Sequence, residues 1–351
     1  MTNHTYFPPA KGEESSPSDH SSHPTSGGSS GRKKTSKPEP TKLSVVGVTM
    51  AFFSFALATA VLFFIWRLLP TNAMSFAKNS ILGFSLIKML RSLFCLALPF
   101  IFFSLRFRYF GTAYLGSRLS GHWVVHGILI GIPTGFVIFS LHNLFIHFLV
   151  SHGISFSPAT YLFPPNALRG PAHVLLMTAG VMLPVVTASL FLYGLLVPAF
   201  PTRKMGINIL FSSIILALYV QSPVDVPALL VFGLIFGFLR YTSGHTLPGL
   251  LGMVTAASTV YLIAPHITFL SYSATVNHLE NDPGIIYTNY IALFSGLFVV
   301  GWILFQCYSN MKNEKIARYP RSETLYTITG TPPIPVVLVG CLLLVLPWFF
   351  I

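Results

Sequence analysis

The chain has 351 residues, of which 53% are hydrophobic and only 9% charged, against roughly 25% charged in an ordinary soluble domain. At a mean hydropathy of +0.69 there are too few polar side chains to cover a single buried core, which excludes a soluble globular protein and leaves lipid as the solvent for much of the surface. The formal charge of +12 comes from basic residues set in short runs between apolar stretches, a distribution that fits membrane topology rather than a nucleic-acid face.

Residues Met1 to about Lys42 are rich in Ser, Pro, Gly and Lys and poor in branched aliphatic residues, so they cannot bury enough apolar area to offset the entropy of ordering. A disordered cytoplasmic tail over 1–42 is the expectation. It is not a cleavable signal peptide, because the first apolar run begins late, at Ser44, and is long. Cys95, Cys307 and Cys341 stand alone within apolar segments, without a CxxC pair, and read as small core hydrophobes.

A helix that crosses a bilayer needs about 20 apolar residues, with a range of roughly 17 to 25. Nine candidate segments follow in order: Ser44 to Leu69, Leu90 to Leu105, His122 to Val150, Pro171 to Phe200, Met205 to Val220, Val226 to Leu239, Thr246 to Ala264, Ile285 to Gln306 and Pro335 to Ile351. The predicted fold class is therefore an all-α, polytopic transmembrane bundle of eight or nine spans. Lys88 and Arg91 either snorkel at the outer end of the second segment or belong to an interfacial helix before it. The fifth and sixth segments are short, and the turn with Pro223 and Pro227 makes them two shortened spans or one buried hairpin.

The basic residues orient the bundle. With the tail inside, fifteen Lys and Arg fall on cytoplasmic segments, including Arg32 to Lys42, Arg106 to Arg118 and Lys312 to Arg321, while Arg67, Lys78 and Arg169 are the three on outer segments. That asymmetry predicts a cytoplasmic (inner) membrane protein with its amino terminus in and its carboxyl terminus out. Outer loops after Val150 and Ala264 read as ordinary connections. The nine acids leave nothing acidic between Glu39 and Asp225, so no intramembrane carboxylate is expected.

Two stretches and a helix between them carry a family likeness. The first is Phe236-Gly237-Phe238-Leu239-Arg240-Tyr241-Thr242-Ser243-Gly244-His245-Thr246-Leu247-Pro248-Gly249-Leu250-Leu251; the second is Ala188-Ser189-Leu190-Phe191-Leu192-Tyr193-Gly194-Leu195-Leu196; the helix is Ser212 to Leu218. Together they resemble the CPBP group of intramembrane proteases, also called the CAAX-protease or Abi family, over a core of 171–265 set between amino-terminal helices (43–170) and carboxyl-terminal helices (266–351). The resemblance implies a site of paired glutamates, an arginine and two histidines that activate a water, with a bound metal, for peptide-bond attack within the membrane.

Those residues are replaced here. The paired glutamates fall on Ala188 and Ser189 and the arginine on Tyr193; the aromatic and histidine of the second motif fall on Leu216 and Val220, or on Ile215 and Tyr219 with a slip of one; the histidine and Asn or Asp of the third fall on Met253 and Ala257. None of these side chains can serve as general base or metal ligand at these positions. The expectation is a scaffold with no catalytic, metal or cofactor residues, whose former cleft is either closed by packing or kept open for a hydrophobic segment or lipid.

His122 and His126, four apart on one helical face, have metal-ligand spacing but lack a third ligand, since His142, His147 and His152 lie roughly 30 Å or more along the same helix from His122. An interfacial pair beside Arg118 is the plainer reading. His142 and Asn143 lie deeper and need polar partners in the bundle. The expected function is non-catalytic binding or scaffolding in the lipid bilayer, with another membrane protein, a hydrophobic peptide or lipid as partner and no nucleic acid. The rivals are a divergent intramembrane metalloprotease using His122, His126 or His245, and a small-solute or lipid transporter suggested by Pro133, Pro184 and Pro223.

Overall fold

The computed structural model describes residues 41–70, 80–106, 119, 121–154, 170–200, 204–262, 283–317, 326–329 and 331–350. Pro40–Ile351 form one compact unit. The expected tail over 1–42 lies almost wholly outside the described residues, as do most of the loops after Val150 and Ala264 and many of the basic residues that set the predicted orientation.

Among the described residues, nine helices occupy the nine apolar stretches. In chain order they are α1 (Val45–Leu68), α2 (Ile81–Arg106), α3 (Gly121–Ser151), α4 (Pro171–Leu196, continued by Val197–Ala199), α5 (Met205–Val220), α6 (Val226–Ser243), α7 (Thr246–Leu262), α8 (Pro283–Ala317) and α9 (Ile334–Val345). A four-residue strand β1 (Thr41–Ser44) pairs in parallel with β2 (Tyr326–Thr329). Among the described residues, six helical stretches are long and apolar enough to cross a membrane, and α5, α7 and α9 are shorter apolar helices. The chain is a multi-pass, all-α membrane protein. Its exposed apolar side chains fit this: Ile291, Phe298 and Phe305 on α8 are 68%, 74% and 66% exposed, surface that water would penalise and acyl chains accept.

Helix starts and breaks follow local chemistry. Ser44 caps α1 by accepting from Gly47 N at 3.3 Å, and Ser80 caps α2 by accepting from Gly83 N at 3.4 Å. Gly244 ends α6 at φ +67°, a left-handed position that suits glycine. Three π-helical stretches, Leu93–Ala97 in α2 and Leu176–Met182 and Leu190–Leu196 in α4, each stop two residues before a proline: Pro99, Pro184 and Pro198. A proline lacks the N–H for the ordinary bond and its ring crowds the carbonyl four residues back, so the preceding turn widens. Leu183 N, for example, bonds Thr178 O, five residues back.

The centre of the bundle is α3. Gly127, Gly131 and Gly135 form a four-residue repeat of small residues on its face toward α7. A Cβ on Gly131 would lie 2.5 Å from Thr255 Cβ and 2.7 Å from Gly252 O, and one on Gly135 would lie 2.7 Å from Thr259 Cβ. This is the close approach that small-residue repeats permit in membranes, and the pairing runs parallel. On its other side α3 meets α8 antiparallel, where Gly296 touches Val137 and Asn143 Nδ2 donates to Asn289 Oδ1 at 3.1 Å. Helices α5 and α6 form an antiparallel hairpin in which Gly233 lies against Ser213 and Gly237 against Ile209, while α9 lies along α1 at Gly340 and Phe52.

Two expectations about the second span are corrected. It is one continuous helix from Ile81 to Arg106, so Lys88 and Arg91 are neither at its end nor on a separate interfacial helix. They sit inside the spanning helix, roughly 10 to 15 Å from its start at 1.5 Å per residue. The apolar window of a span hides charges that have interior partners.

Candidate functional site

A cavity of about 270 Å³ lies between α2, α3, α4, α5, α6 and α7. Its walls are mostly aliphatic and aromatic. Of the positions singled out by the family likeness, Ala188, Leu216, Val220, Met253 and Ala257 all line it, contributed by α4, α5 and α7. The alternative register is half met, since Tyr219 also lines the cavity whereas Ile215 does not.

Ser189 and Tyr193 do not line it. Both are fully buried. The Tyr193 hydroxyl donates to Gly233 O at 3.1 Å and its carbonyl accepts from Arg240 Nε at 3.3 Å, so the residue at the arginine position clasps α4 to α6. Arg240 is itself 2% exposed.

One end of the cavity is charged. Lys88, Arg91 and Ser92 enter from α2, His142 from α3, and Asp225 from the 3₁₀ turn Pro223–Asp225 that joins α5 to α6. His142 Nδ1 lies 2.8 Å from Asp225 Oδ1. The Arg91 guanidinium stacks 4.3 Å over the Tyr219 ring and donates from Nη1 to Val220 O at 3.4 Å. Its Nη2 is buried without a hydrogen-bond partner among the described residues.

The expected absence of an intramembrane carboxylate is therefore corrected: Asp225 lies within the spanning segment Pro223–Ser243. The stretch with Pro223 and Pro227 reads in the sequence as a turn; the structure confines the turn to Pro223–Asp225, with Pro227 already in the first turn of α6, and a turn between two short helices does not reach as far as the end of the 31-residue α3. The signal was present in the only acid between residues 40 and 279, placed beside two prolines and facing a helix with an unexplained histidine.

The other histidines are elsewhere. His126 Nδ1 lies 2.7 Å from the carbonyl of His122, so the pair serves the first turn of α3, about 24 Å along that helix from His142. His245 closes the α6–α7 turn, where its Nδ1 accepts from Leu247 N at 3.1 Å and its carbonyl accepts from Ser243 Oγ at 2.9 Å. Accepting at Nδ1 requires the neutral ring; burial, and next the positive Arg240, hold the His245 pKa below the ordinary value. Among the described residues no three His, Cys, Asp or Glu side chains are grouped as a metal ion would require.

No family model, curated protein or solved structure matches the chain.

Proposed function

We propose that the chain is a membrane-embedded binding protein on a CPBP-like scaffold from which the catalytic residues have been lost. The observation that carries this reading is the convergence of Ala188, Leu216, Val220, Met253 and Ala257 on one cavity, since five positions scattered over 70 residues of sequence have no reason to meet by local chain geometry. With small and aliphatic side chains there, the cleft can hold an apolar group but cannot activate water. Its partner is a hydrophobic group presented within the bilayer, from lipid or from a membrane-embedded peptide. The basic-residue asymmetry supports an inner-membrane location with the amino terminus in the cytoplasm, and the antiparallel packing of α3 on α8 and of α5 on α6 suits a bundle of about eight or nine spans.

A photoreactive amino acid at Ala257 tests this directly, with one at the lipid-facing Phe298 as reference. Binding predicts saturable adducts at 257 that differ from those at 298. The same adducts at both positions sink the reading.

One observation favours a second reading, a divergent intramembrane protease. The His142–Asp225 pair supplies an imidazole and a carboxylate on the cavity wall. Cleavage of a transmembrane peptide by the purified chain, abolished in His142→Ala, or zinc bound stoichiometrically, would establish that reading over the binding one.

A further inference from the structure

The cavity has two chemically different ends, and their arrangement along the helices specifies a ligand class. The apolar wall extends on α7 from Met253 to Tyr261, about 12 Å of helix. The other end brings together two cations, Lys88 and Arg91, one carboxylate, Asp225, and His142. Asp225 is engaged by His142 at 2.8 Å, so the cluster holds a net positive charge whether His142 is neutral or protonated. Positive charge in a spanning segment is costly to keep unless something negative shares the low-dielectric space. Buried Arg91 Nη2, with no acceptor among the described residues, points the same way, since an arginine fork suits the planar oxygens of phosphate or carboxylate.

We propose that the cavity binds a bilayer lipid with an anionic headgroup, its phosphate or carboxylate held by Lys88 and Arg91 and the first part of an acyl chain lying along Val220, Leu216 and Met253. This rests on the reading of the cavity as a binding site and names what it binds. Size supports a partial fit: at about 270 Å³ the cavity is just below the roughly 300 to 1,000 Å³ typical of sites that enclose a whole small ligand, so the rest of the lipid stays in the bilayer. A lipid is favoured over a peptide because the cations gather at one end of the cavity, as a single headgroup requires, while an extended peptide would bring backbone amides that the aliphatic wall cannot satisfy.

The test uses the full chain in nanodiscs of phosphatidylcholine, doped in turn with phosphatidic acid, fatty acid or phosphatidylcholine carrying the same diazirine-bearing acyl chain. Labelled residues are mapped by mass spectrometry. The anionic probes are expected to label Leu216, Val220 or Met253 about tenfold more than the zwitterionic one, whose choline cation offsets the attraction of its phosphate for Lys88 and Arg91 by roughly the worth of one charge-assisted hydrogen bond. Lys88→Met with Arg91→Met should erase the preference, and Lys88→Arg with Arg91→Lys should retain part of it. Competition by inorganic phosphate alone would locate recognition in the headgroup; its failure to compete would assign part of the affinity to the chain, and both agree with the proposal. Equal cavity labelling by all three probes in the wild-type chain would overturn the charge recognition while leaving an apolar binding cavity intact. Absence of cavity labelling by every lipid, with adducts still forming from residue 257, would overturn the lipid and leave a peptide as occupant.

Discussion

Asp225 Oδ1, in the turn between α5 and α6, lies 2.8 Å from Nδ1 of His142 on α3, joining the hairpin to the central helix at the charged end of the cavity. The two side chains are 21% and 15% exposed, so water screens them only in part. Removing one partner of such a pair leaves the other without compensation in a low-dielectric setting.

Asp225→Ala is expected to destabilise the folded bundle by about 2 to 4 kcal/mol, somewhat below the loss for a fully buried pair. Lys88 and Arg91 then share the cavity with no carboxylate among its lining residues. A double-mutant cycle with His142→Ala, read by unfolding in mixed micelles, should return a coupling of about 1 kcal/mol or more. Independent, additive losses would show that the contact contributes nothing.

The glycine repeat on α3 supplies a test in which the sign of the effect decides. In an open helix Gly→Ala stabilises by roughly 0.5 to 1 kcal/mol, and Gly301, with nothing within 4 Å of its added Cβ, should behave this way. At Gly131 the methyl meets Thr255 Cβ at 2.5 Å and the Gly252 carbonyl at 2.7 Å. Gly131→Ala should therefore destabilise by about 1 to 3 kcal/mol. Matching melting shifts in the two variants would contradict the close packing of α3 on α7.

His245 predicts a pH dependence. Its pKa in the fold is held below the ordinary value of about 6.5, so the unfolded chain takes up this proton first as pH falls. Stability is retained above pH about 6.5 and declines as pH drops below that toward the lowered folded pKa. His245→Asn keeps an acceptor beside Leu247 N and removes the titration; its melting temperature should vary less between pH 7 and pH 5 than that of the wild type. An unchanged slope would mean that another group carries the effect.

Asn143 and Asn289 make the polar contact between α3 and α8, with Asn143 and Asn289 both buried. Hydrogen bonds between membrane helices contribute about 0.6 kcal/mol on average and rarely above 1.7. Asn143→Leu should accordingly lower stability by no more than about 2 kcal/mol, measured by the same micellar unfolding; a larger loss would indicate that the asparagine also supports the neighbouring His142.

The sequence made the nine helices among the described residues legible because a helix in lipid must satisfy its backbone internally and present apolar side chains along its length. Helices α1, α3 and α5 end within a residue or two of the apolar runs that announce them. The site was harder to see. Lys88 and Arg91 read as snorkelling at the outer end of a span or as part of an interfacial helix before it, because hydropathy averages over a window and cannot tell a snorkelling lysine from one facing a cavity. His142 was known to need a polar partner, but that Asp225 supplies it depends on two helices 83 residues apart in the chain being packed together, which no local pattern encodes. The repeat at Gly127, Gly131 and Gly135 drew no reading from the sequence, because small residues recur in any membrane helix and only the packing against α7 marks these three as a contact face.

The parallel ladder between β1 and β2, with Thr41 opposite Tyr326 and Ser44 opposite Thr329, has a consequence for the order of events during synthesis. The first helix begins one residue after β1, and its inward face, with fully buried Phe52 and Phe55, is covered in part by α9. Both β2 and α9 leave the ribosome after the eight helices that precede them. The chain therefore completes the surroundings of its first span only after β2 and α9 have been made, and until then the side of Phe52 that Gly340 covers is left to lipid or an insertion factor. A nascent chain arrested before residue 326 lacks the closing ladder, so its first helix should be far more open to protease and cross-linker than the same helix in the released protein.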